Sequence, residues 1–333
     1  MSGQTPGRLL VQASDKKGIL AVVVVSILGL GITFTAGESL SDAVIHPMQW
    51  LRGPGSNLAF GAAIDDSFGT YDSPKLLASS VDPAAARRLW MQKCSQCHGA
   101  DGQAKTPTAD LLNPRPRDFS EGVVKFVSSR ATTEHAPRPS QVDLRRVIRE
   151  GAPFTSMSAF DELNENELDA IVAYTRWLLI RNASGRAIRG GKIAHYANDI
   201  ARLRKMVTAQ FDAADLPVVD LISKGRTGDV VRGKDLFQST RAACFTCHGS
   251  SGAGDGAAAT DENGKALLMD IWGQPAPPRD LRLGQFHGGS TTRAIFSRIQ
   301  NGIPGTPMPA ATALTDIEIL DLTAYVLQLR GNL

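Results

Sequence analysis

Two short clusters in the sequence combine paired thiols with an adjacent imidazole. They read CSQCH and CFTCH, and their side chains are Cys94, Cys97 and His98 in the first cluster and Cys244, Cys247 and His248 in the second. Three kinds of site use a Cys-x-x-Cys pair: a zinc site, a redox-active dithiol and covalent haem attachment. The rest of the chain has to distinguish between these chemistries.

The separation of the two clusters argues against zinc and against thiol redox chemistry. A second Cys pair that closes on the same zinc ion lies nearby in the chain, whereas Cys94 and Cys244 are 150 positions apart. A thioredoxin-like dithiol explains neither the adjacent His nor the duplication. The chain has 4 cysteines, so none is left for another use. Cys-x-x-Cys-His is the attachment signature of c-type haem, and we predict two covalently bound haem c groups.

The spacing within each cluster has a geometric reason. Positions i, i+3 and i+4 share one face of a helical turn. Cys94 and Cys97 can therefore both reach the vinyl groups of one porphyrin, while His98 points at its iron. The second cluster repeats the arrangement with His248. The two histidines are predicted to be the proximal iron ligands.

An internal repeat supplies candidates for the distal ligands, for which methionine thioether is a common choice. IREGAPFTSM ends at Met157 and IQNGIPGTPM ends at Met308. Met157 follows His98 by 59 positions, and Met308 follows His248 by 60 positions. We predict that these two methionines bind the two irons. Four further histidines are alternatives to methionine, although a surface or structural role is expected for each: His46, His135, His195 and His287.

The elements that position these ligands also repeat. Each Met is followed seventeen residues later by a Tyr, at Tyr174 and Tyr325, within ELDAIVAYTRWLL and EILDLTAYVLQL. Both stretches have helical periodicity, and they begin after the capping-type residues Asn164 and Thr315. A helix is therefore expected to close each half.

Each half resembles a class I, mitochondrial-type cytochrome c domain. That domain has an N-terminal helix running into Cys-x-x-Cys-His, a Met loop behind a Gly/Pro turn and a closing aromatic-bearing helix. The resemblance covers 81–183 and 225–333, and the whole chain resembles membrane-anchored tandem di-haem cytochromes c. It implies a mainly α fold with two class I cytochrome c domains in tandem, preceded by one N-terminal transmembrane helix. The loops between His and Met are long for the family: extra residues follow Phe119 and precede Arg279.

The resemblance also suggests the surroundings of the ligands. A haem-binding histidine usually donates its second ring N–H to a backbone carbonyl, and the expected acceptors are Pro114 or Pro116 in the first half and Pro275 or Pro277 in the second. The guanidinium groups of Arg117 and Arg279 suit haem propionates. The alternatives for each Arg are a solvated surface charge or a pairing with the neighbouring Asp118 or Asp280.

The N-terminal region contains an uncharged apolar run, residues 18–36, which is long enough to cross a bilayer as a helix. The positive-inside rule places 1–17 in the cytoplasm, because Lys16 and Lys17 precede the run. A cleaved signal peptide is the alternative. We expect a single-pass protein of the inner membrane, with a tether over 37–80 and both haem domains on the periplasmic side.

A linker helix is expected between the two halves, within 184–224. Its amphipathic pattern comprises Ile193, Tyr196, Ile200, Leu203, Val207 and Phe211. Its cationic residues, Arg202, Arg204 and Lys205, are expected to face outward.

These features favour an electron carrier over an enzyme. Two haems with both axial positions filled bind no small-molecule substrate and pass single electrons. The expected partners are redox proteins, in particular a membrane respiratory complex. The net charge of +3 is spread along the chain, so no block is basic enough to suggest nucleic acid as a partner, and none is expected. The alternative is a di-haem cytochrome c peroxidase, which needs one iron open to peroxide and nearby acid–base groups.

Overall fold

The protein is described by a computed structural model. It describes residues 26–27, 30–31, 54–77, 80–130, 137–189, 200–215, 222–263 and 265–330. The chain divides into two compact units, Met1–Ala59 and Phe60–Leu333. Both Cys-x-x-Cys-His clusters lie in the second unit, which is helical.

The N-terminal unit contains two very short strands. Strand β1 (Ser26–Ile27) pairs antiparallel with β2 (Leu30–Gly31). Both strands lie within 18–36, where a helix was expected. At these four residues the backbone is paired between strands instead. The remainder of that run lies outside the described residues. No helix in the described ranges is long and apolar enough to cross a membrane. The N-terminal anchor therefore stays a prediction.

The first half contains six helices in the described ranges. They are α1 (Pro54–Phe68), α2 (Pro83–Lys93), α3 (Ser95–His98), α4 (Pro107–Leu111), α5 (Gln141–Glu150) and α6 (Glu165–Arg189). Local signals set their starts. The Asp82 carboxylate accepts the N–H groups of Ala84 and Ala85 at the start of α2. Asn164 and Glu167 exchange side-chain-to-backbone hydrogen bonds before α6, so the predicted cap is confirmed.

The core of the first half forms where α2 and α5 pack against α6. Trp90 on α2 contacts Tyr174 on α6, with ring centroids 5.3 Å apart, and both side chains are buried. Ala86 lies one turn before Trp90 and is fully buried, so the two helices approach closely there. This packing fixes α2 so that its end runs directly into the first cluster.

Part of the predicted tether belongs to this core. Helix α1, which the sequence analysis did not predict, buries Phe68 completely. The indole N–H of Trp177 on α6 donates to the Phe68 carbonyl at 2.7 Å. Arg181 on α6 forms an ion pair with Asp65. Residues 60–77 are thus packed on the first half, because an aromatic side chain and a hydrogen-bonded backbone hold them there.

Helix α7 (Ile200–Ala214) packs on α6 and buries Leu203, Val207 and Phe211, as its pattern predicts. The prediction that the cationic residues of this helix face outward is wrong for Arg204. That guanidinium donates to the Ser67 carbonyl and lies 5.2 Å from the centre of the Phe68 ring. The first two residues of the pattern, Ile193 and Tyr196, lie outside the described residues. A 3₁₀ turn, Ile222–Lys224, leads to the second half.

The second half repeats the arrangement with α8 (Val230–Gln238), α9 (Phe245–His248), a 3₁₀ turn (Leu281–Leu283), α10 (Thr292–Asn301) and α11 (Asp316–Leu329). Helices α8 and α10 pack on α11. Phe237 and Tyr325 meet at 5.3 Å, as Trp90 and Tyr174 do in the first half. Gly233 lies one turn before Phe237, and a Cβ there would overlap the Asp321 carbonyl. The crossing of α8 and α11 is therefore even closer.

The two halves contact each other directly. Arg298 on α10 donates to the Val127 carbonyl at 3.0 Å and lies over the Phe126 ring at 5.4 Å. Arg130 forms an ion pair with Asp316 at the start of α11. All three first-half residues lie in the extra length that follows Phe119. An unusually long loop between His and Met thus forms part of the contact between the halves.

Candidate haem sites

Each Cys-x-x-Cys-His cluster forms a single helical turn, as the spacing predicts. The Cys94 carbonyl accepts the N–H groups of Cys97 at 3.2 Å and His98 at 2.9 Å. The Cys244 carbonyl makes the same two hydrogen bonds, at 3.3 and 2.9 Å, to Cys247 and His248. None of the four cysteines forms a disulfide. The thiols and imidazole of each cluster are consequently presented on one turn at the end of a packed helix.

Backbone carbonyls contact the imidazole rings, although not the predicted ones. Nδ1 of His98 lies 3.1 Å from the Arg117 carbonyl oxygen, and Nδ1 of His248 lies 3.3 Å from that of Arg279. Proline carbonyls were predicted as the acceptors. In both halves the ring instead faces the carbonyl of the arginine that follows a proline, Pro116 or Pro278. With its proton on Nδ1, each imidazole has Nε2 free to bind iron.

Burial favours the uncharged forms of the ligand groups. It lowers the pKa of His98 and of His248, which favours the neutral imidazole that binds a metal. Burial and the neighbouring Cys97 raise the pKa of the Cys94 thiol to about 12, and burial raises that of Cys244 to about 11. A reactive dithiol needs the opposite shift, so the environment disfavours thiol redox chemistry.

Aromatic rings pack around the first imidazole. Phe119 stacks on the His98 ring at 5.1 Å with an interplanar angle of 13°, and Trp90 lies 6.1 Å from it. The N–H of Phe119 donates to the Gly102 carbonyl, and at the equivalent place in the second half Leu281 donates to Gly252. In the described part of the second half no ring stacks on His248, and Phe237 lies 6.4 Å from it at an interplanar angle of 48°. These contacts of Phe119 and Trp90 were not predicted from the sequence, although Trp90 lies one helical turn before the first cluster.

The two predicted methionine ligands lie in two separate turns that have the same hydrogen bonds. The Met157 carbonyl accepts the Ala152 N–H at 3.0 Å, and the Met308 carbonyl accepts the Ile303 N–H at 3.1 Å. In each turn a threonine hydroxyl, two residues before the Met, accepts the Met N–H, at 3.1 and 3.3 Å. The two halves thus present their thioethers on equivalent backbones.

A glycine opens each methionine turn with positive φ. Gly151 has φ +70° and Gly302 has φ +64°. A Cβ at Gly151 would lie 2.6 Å from the Met157 carbonyl oxygen, and one at Gly302 would lie 2.5 Å from that of Met308. Glycine is therefore required at both positions by conformation and by space.

The alternative histidine ligands gain no support. His46, His135 and His195 lie outside the described residues. His287 accepts a hydrogen bond from the Arg279 guanidinium at 3.0 Å. It therefore lies beside the residue whose carbonyl faces the proximal His248. Burial and Arg279 lower the pKa of His287 to about 4, so this side chain is neutral.

Arg117 and Arg279, the predicted propionate partners, have different surroundings. Arg117 lies 3.9 Å from the Asp270 carboxylate, and its guanidinium carbon is 3.7 Å from the centre of the Trp272 ring. Burial lowers the pKa of Arg117, while the negative charges of Asp270 and then of Asp118 act in the opposite direction, so Asp118 interacts electrostatically with Arg117 as one predicted alternative has it. Asp280 instead pairs with Arg282. Arg117 is not a solvated surface charge, since only 13% of its side chain is exposed.

The residues present fit a haem. Two donors at this contact, Nε of Arg117 and Nε1 of Trp272, are buried and have no acceptor among the described residues. Buried donors are normally paired, and a propionate carboxylate would accept from them. Across the described ranges, no three His, Cys, Asp or Glu side chains converge as a protein-only metal site. One imidazole and one thioether per half are what a porphyrin-held iron requires.

Comparisons with known proteins agree with this chemistry. Residues 230–330 match the family "Cytochrome c", and residues 81–174 match "Cytochrome C oxidase, cbb3-type, subunit III". A curated relative, the Cbb3-type cytochrome c oxidase subunit CcoP of an Azospirillum species, is 23% identical over 253 residues. That alignment covers 75% of this chain and 62% of the relative, so the chain spans less than two thirds of the relative's length.

A solved structure is similar in fold to much of this chain. A chain of the reducing HAO-like protein complex of Kuenenia stuttgartiensis superposes with a TM-score of 0.56 at 25% identity. The superposition covers 77% of this chain and 99% of that one. Each half thus carries both the sequence pattern and the helical packing of a cytochrome c, and the chain is a tandem cytochrome c, with one cytochrome c domain in each half.

Proposed function

We propose that this chain is a di-haem cytochrome that relays single electrons as a subunit or partner of a membrane redox complex. The observation that carries the proposal is the equivalence of the two methionine turns, together with one partly buried imidazole in each half whose pKa is lowered by burial. The proposed haem-binding residues are Cys94, Cys97, His98 and Met157 in the first domain and Cys244, Cys247, His248 and Met308 in the second. The proposed domain limits are 81–183 and 225–333.

The protein's own groups have three tasks in this proposal. The two thiols of each cluster form thioethers to the porphyrin, which makes attachment permanent. The carbonyls of Arg117 and Arg279 orient the imidazoles and keep Nε2 free for iron. The surrounding helices exclude water, with Phe119 and Trp90 closing the first site. Bound haem c supplies the one-electron chemistry.

The equivalence of the halves favours a carrier over a di-haem peroxidase. A peroxidase needs one iron without a permanent distal ligand, together with acid–base groups near it. Here Met157 and Met308 are presented by the same hydrogen bonds, and the only additional described His, His287, lies on the Arg279 side. One imidazole and one thioether of this chain would therefore be available to bind each iron.

Membrane attachment and partners form the less direct part of the proposal. The uncharged run 18–36 suits a single membrane anchor, with 37–53 leading to the packed region and the haem domains on the periplasmic side. One relative is named as a subunit of a cbb3-type cytochrome c oxidase, and one solved structure comes from a redox complex. We infer that this chain likewise works within or beside a larger oxidoreductase complex.

Spectroscopy of the purified protein tests the central claim. A pyridine haemochrome assay should give two haem c groups per chain, retained after acid–acetone extraction. The oxidised protein should show the weak near-infrared band of Met-ligated ferric haem, with intensity for two. A single such band together with a high-spin, peroxide-reactive haem would instead indicate a peroxidase.

A further inference from the structure

A contact between the two halves lies next to the first proximal ligand. Arg117 belongs to the first half, and its carbonyl faces His98. Its guanidinium lies over the ring of Trp272, which belongs to the second half, at 3.7 Å. Asp270, also from the second half, is 3.9 Å from the same guanidinium and is itself buried, with 6% of its side chain exposed. The second half therefore contributes two side chains to the surroundings of the first haem site.

The loop that carries Trp272 is fixed in place. The Asp270 carboxylate accepts the backbone N–H groups of Trp272 at 3.0 Å and Gln274 at 2.9 Å. The N–H of Ile271 donates to the Gly305 carbonyl at 3.0 Å. The Trp272 ring also covers Gly305, where a Cβ would lie 2.6 Å from it. The ring is thus held between the methionine turn of its own half and Arg117 of the other.

The position equivalent to Gly305 in the first half shows that only the methionine turn of the second half is covered by a tryptophan among the described residues. Phe154 occupies the place of Gly305 in the first methionine turn, with φ +59° and 61% exposure. In the part of the chain that the structure describes, no tryptophan covers that turn, and a bulky residue is accommodated there. Glycine at position 305 therefore leaves room for the Trp272 ring, which contacts Arg117 of the first half.

Two buried donors at this contact are unused. Nε of Arg117 and Nε1 of Trp272 have no acceptor in the described part of the chain, although both atoms are buried. Leaving a buried donor unpaired is costly, because the donor loses its hydrogen bonds to water, so such groups generally mark a missing partner. Asp270 does not fill this role, since it lies 3.9 Å from Nη1 of Arg117. A ligand carboxylate is the chemical group that accepts from a guanidinium and an indole together.

We propose that Trp272 of the second half completes the haem site of the first half, where it and Arg117 donate to a propionate of the first haem. This inference rests on the proposed di-haem function. The first haem is assigned because Arg117 contacts its proximal ligand through the carbonyl and reaches the tryptophan through the guanidinium. Trp272 is a positioning residue. Its N–H offsets the negative charge of the propionate, and its ring holds one half against the other.

The assignment has an electrostatic consequence. An N–H donor and a guanidinium that hold the propionate offset its negative charge near the iron. Reduction of ferric iron adds an electron, so a neutralised neighbour favours the reduced state and raises the reduction potential. Removing the indole N–H should therefore lower the potential of the first haem and leave that of the second unchanged.

The test compares Trp272→Phe, which keeps an aromatic ring under Arg117 but removes its N–H, with wild type in the full-length protein. Two midpoint potentials are measured by spectroelectrochemical titration, and the propionate bending bands are recorded by resonance Raman. The first haem is identified as the one whose near-infrared band is lost in Met157→Ala. We expect its potential to fall and one propionate band to shift, with two haems still attached.

A second variant and a control complete the design. Arg117→Lys keeps the positive charge but removes Nε, and we expect a shift of the same haem in the same direction. Arg130→Gln breaks a different contact between the halves, its ion pair with Asp316, and should leave both potentials unchanged. The inference is overturned if Trp272→Phe changes neither potential, or only that of the second haem, while both haems are present. Loss of the haems from wild type would instead overturn the proposed function.

Discussion

The carbonyl oxygen of Arg117 lies 3.1 Å from Nδ1 of His98, so one residue of the extended loop orients the first proximal ligand. The same residue extends its guanidinium to the other half of the molecule. In the second half the corresponding guanidinium, that of Arg279, donates to His287 within its own half. The two haem sites therefore share their ligand geometry but differ in what lies behind the proximal histidine.

Removing either methionine thioether should affect one haem only. In Met157→Ala and in Met308→Ala, we expect one of the two reduction potentials to fall by a fraction of the roughly 0.8 V range that axial ligands span. One iron should also become able to bind carbon monoxide, as measured by absorbance of the reduced protein. Met206→Ala, which changes a partly exposed methionine on α7, is the control. Carbon monoxide binding equal to wild type in both variants would refute the ligand assignment.

The glycine before the second methionine should be essential for its presentation. Gly302→Ala places a Cβ 2.5 Å from the Met308 carbonyl oxygen at φ +64°. We expect destabilisation by about 1–3 kcal/mol and loss of half of the near-infrared band, because the turn must open. Gly225→Ala is matched, since φ is +70° there but nothing lies within 4 Å of the added Cβ. It should keep the full band, and equal behaviour of the two variants would contradict the steric argument.

The crossing of α8 and α11 should tolerate no added methyl group. In Gly233→Ala the new Cβ overlaps the Asp321 carbonyl, and overpacking of this kind costs about 1–3 kcal/mol. The free energy of unfolding is measured by denaturant titration of the holoprotein. The reciprocal variant, Ala86→Gly at the equivalent crossing of the first half, should cost about 0.5–1 kcal/mol through helix propensity and about 0.8 kcal/mol more through loss of a fully buried methyl group. A stabilising effect of Gly233→Ala would show that the two helices can separate without cost.

The start of α11 should contribute a stability that depends on pH. Hydrogen bonds from Arg241 and then from Thr315 lower the pKa of Glu318 from its ordinary 4.5 to about 2. Because the pKa is lower in the folded state, the contribution is complete above pH 4.5 and is lost as the pH falls toward 2. The melting temperature of wild type should therefore exceed that of Arg241→Gln above pH 4.5. The difference should vanish near pH 2, and a constant difference across this range would contradict the pairing.

The local parts of the fold could be predicted from the sequence. The helical turns at Cys94 and Cys244 follow from a fixed spacing, and the closing helices follow from periodicity and from the caps at Asn164 and Thr315. These features depend on residues within a few positions of one another. The likeness between the two methionine turns was visible for the same reason, because each turn is built within seven residues.

Long-range features were not predictable in this way. The helix that buries Phe68 has no amphipathic pattern and is held by Trp177, which lies more than 100 positions away. The carbonyl that faces His98 belongs to the residue after the expected proline, because the exact turn depends on tertiary packing. Trp272 lies in a segment without periodicity, and its role depends on Arg117 from the other half.

The contact between the halves constrains how this chain can be divided or recombined. The loop after Phe119 and the loop before Arg279 both place apolar and charged groups against the opposite domain, including Phe126 and Trp272. Cutting the chain between the halves would bare these aromatic rings to water and leave the Arg298 guanidinium without the Val127 carbonyl. Neither cytochrome c domain is therefore a self-sufficient module, because part of its surface is shaped by the other domain. A graft of one domain alone onto another scaffold would need that contact surface redesigned.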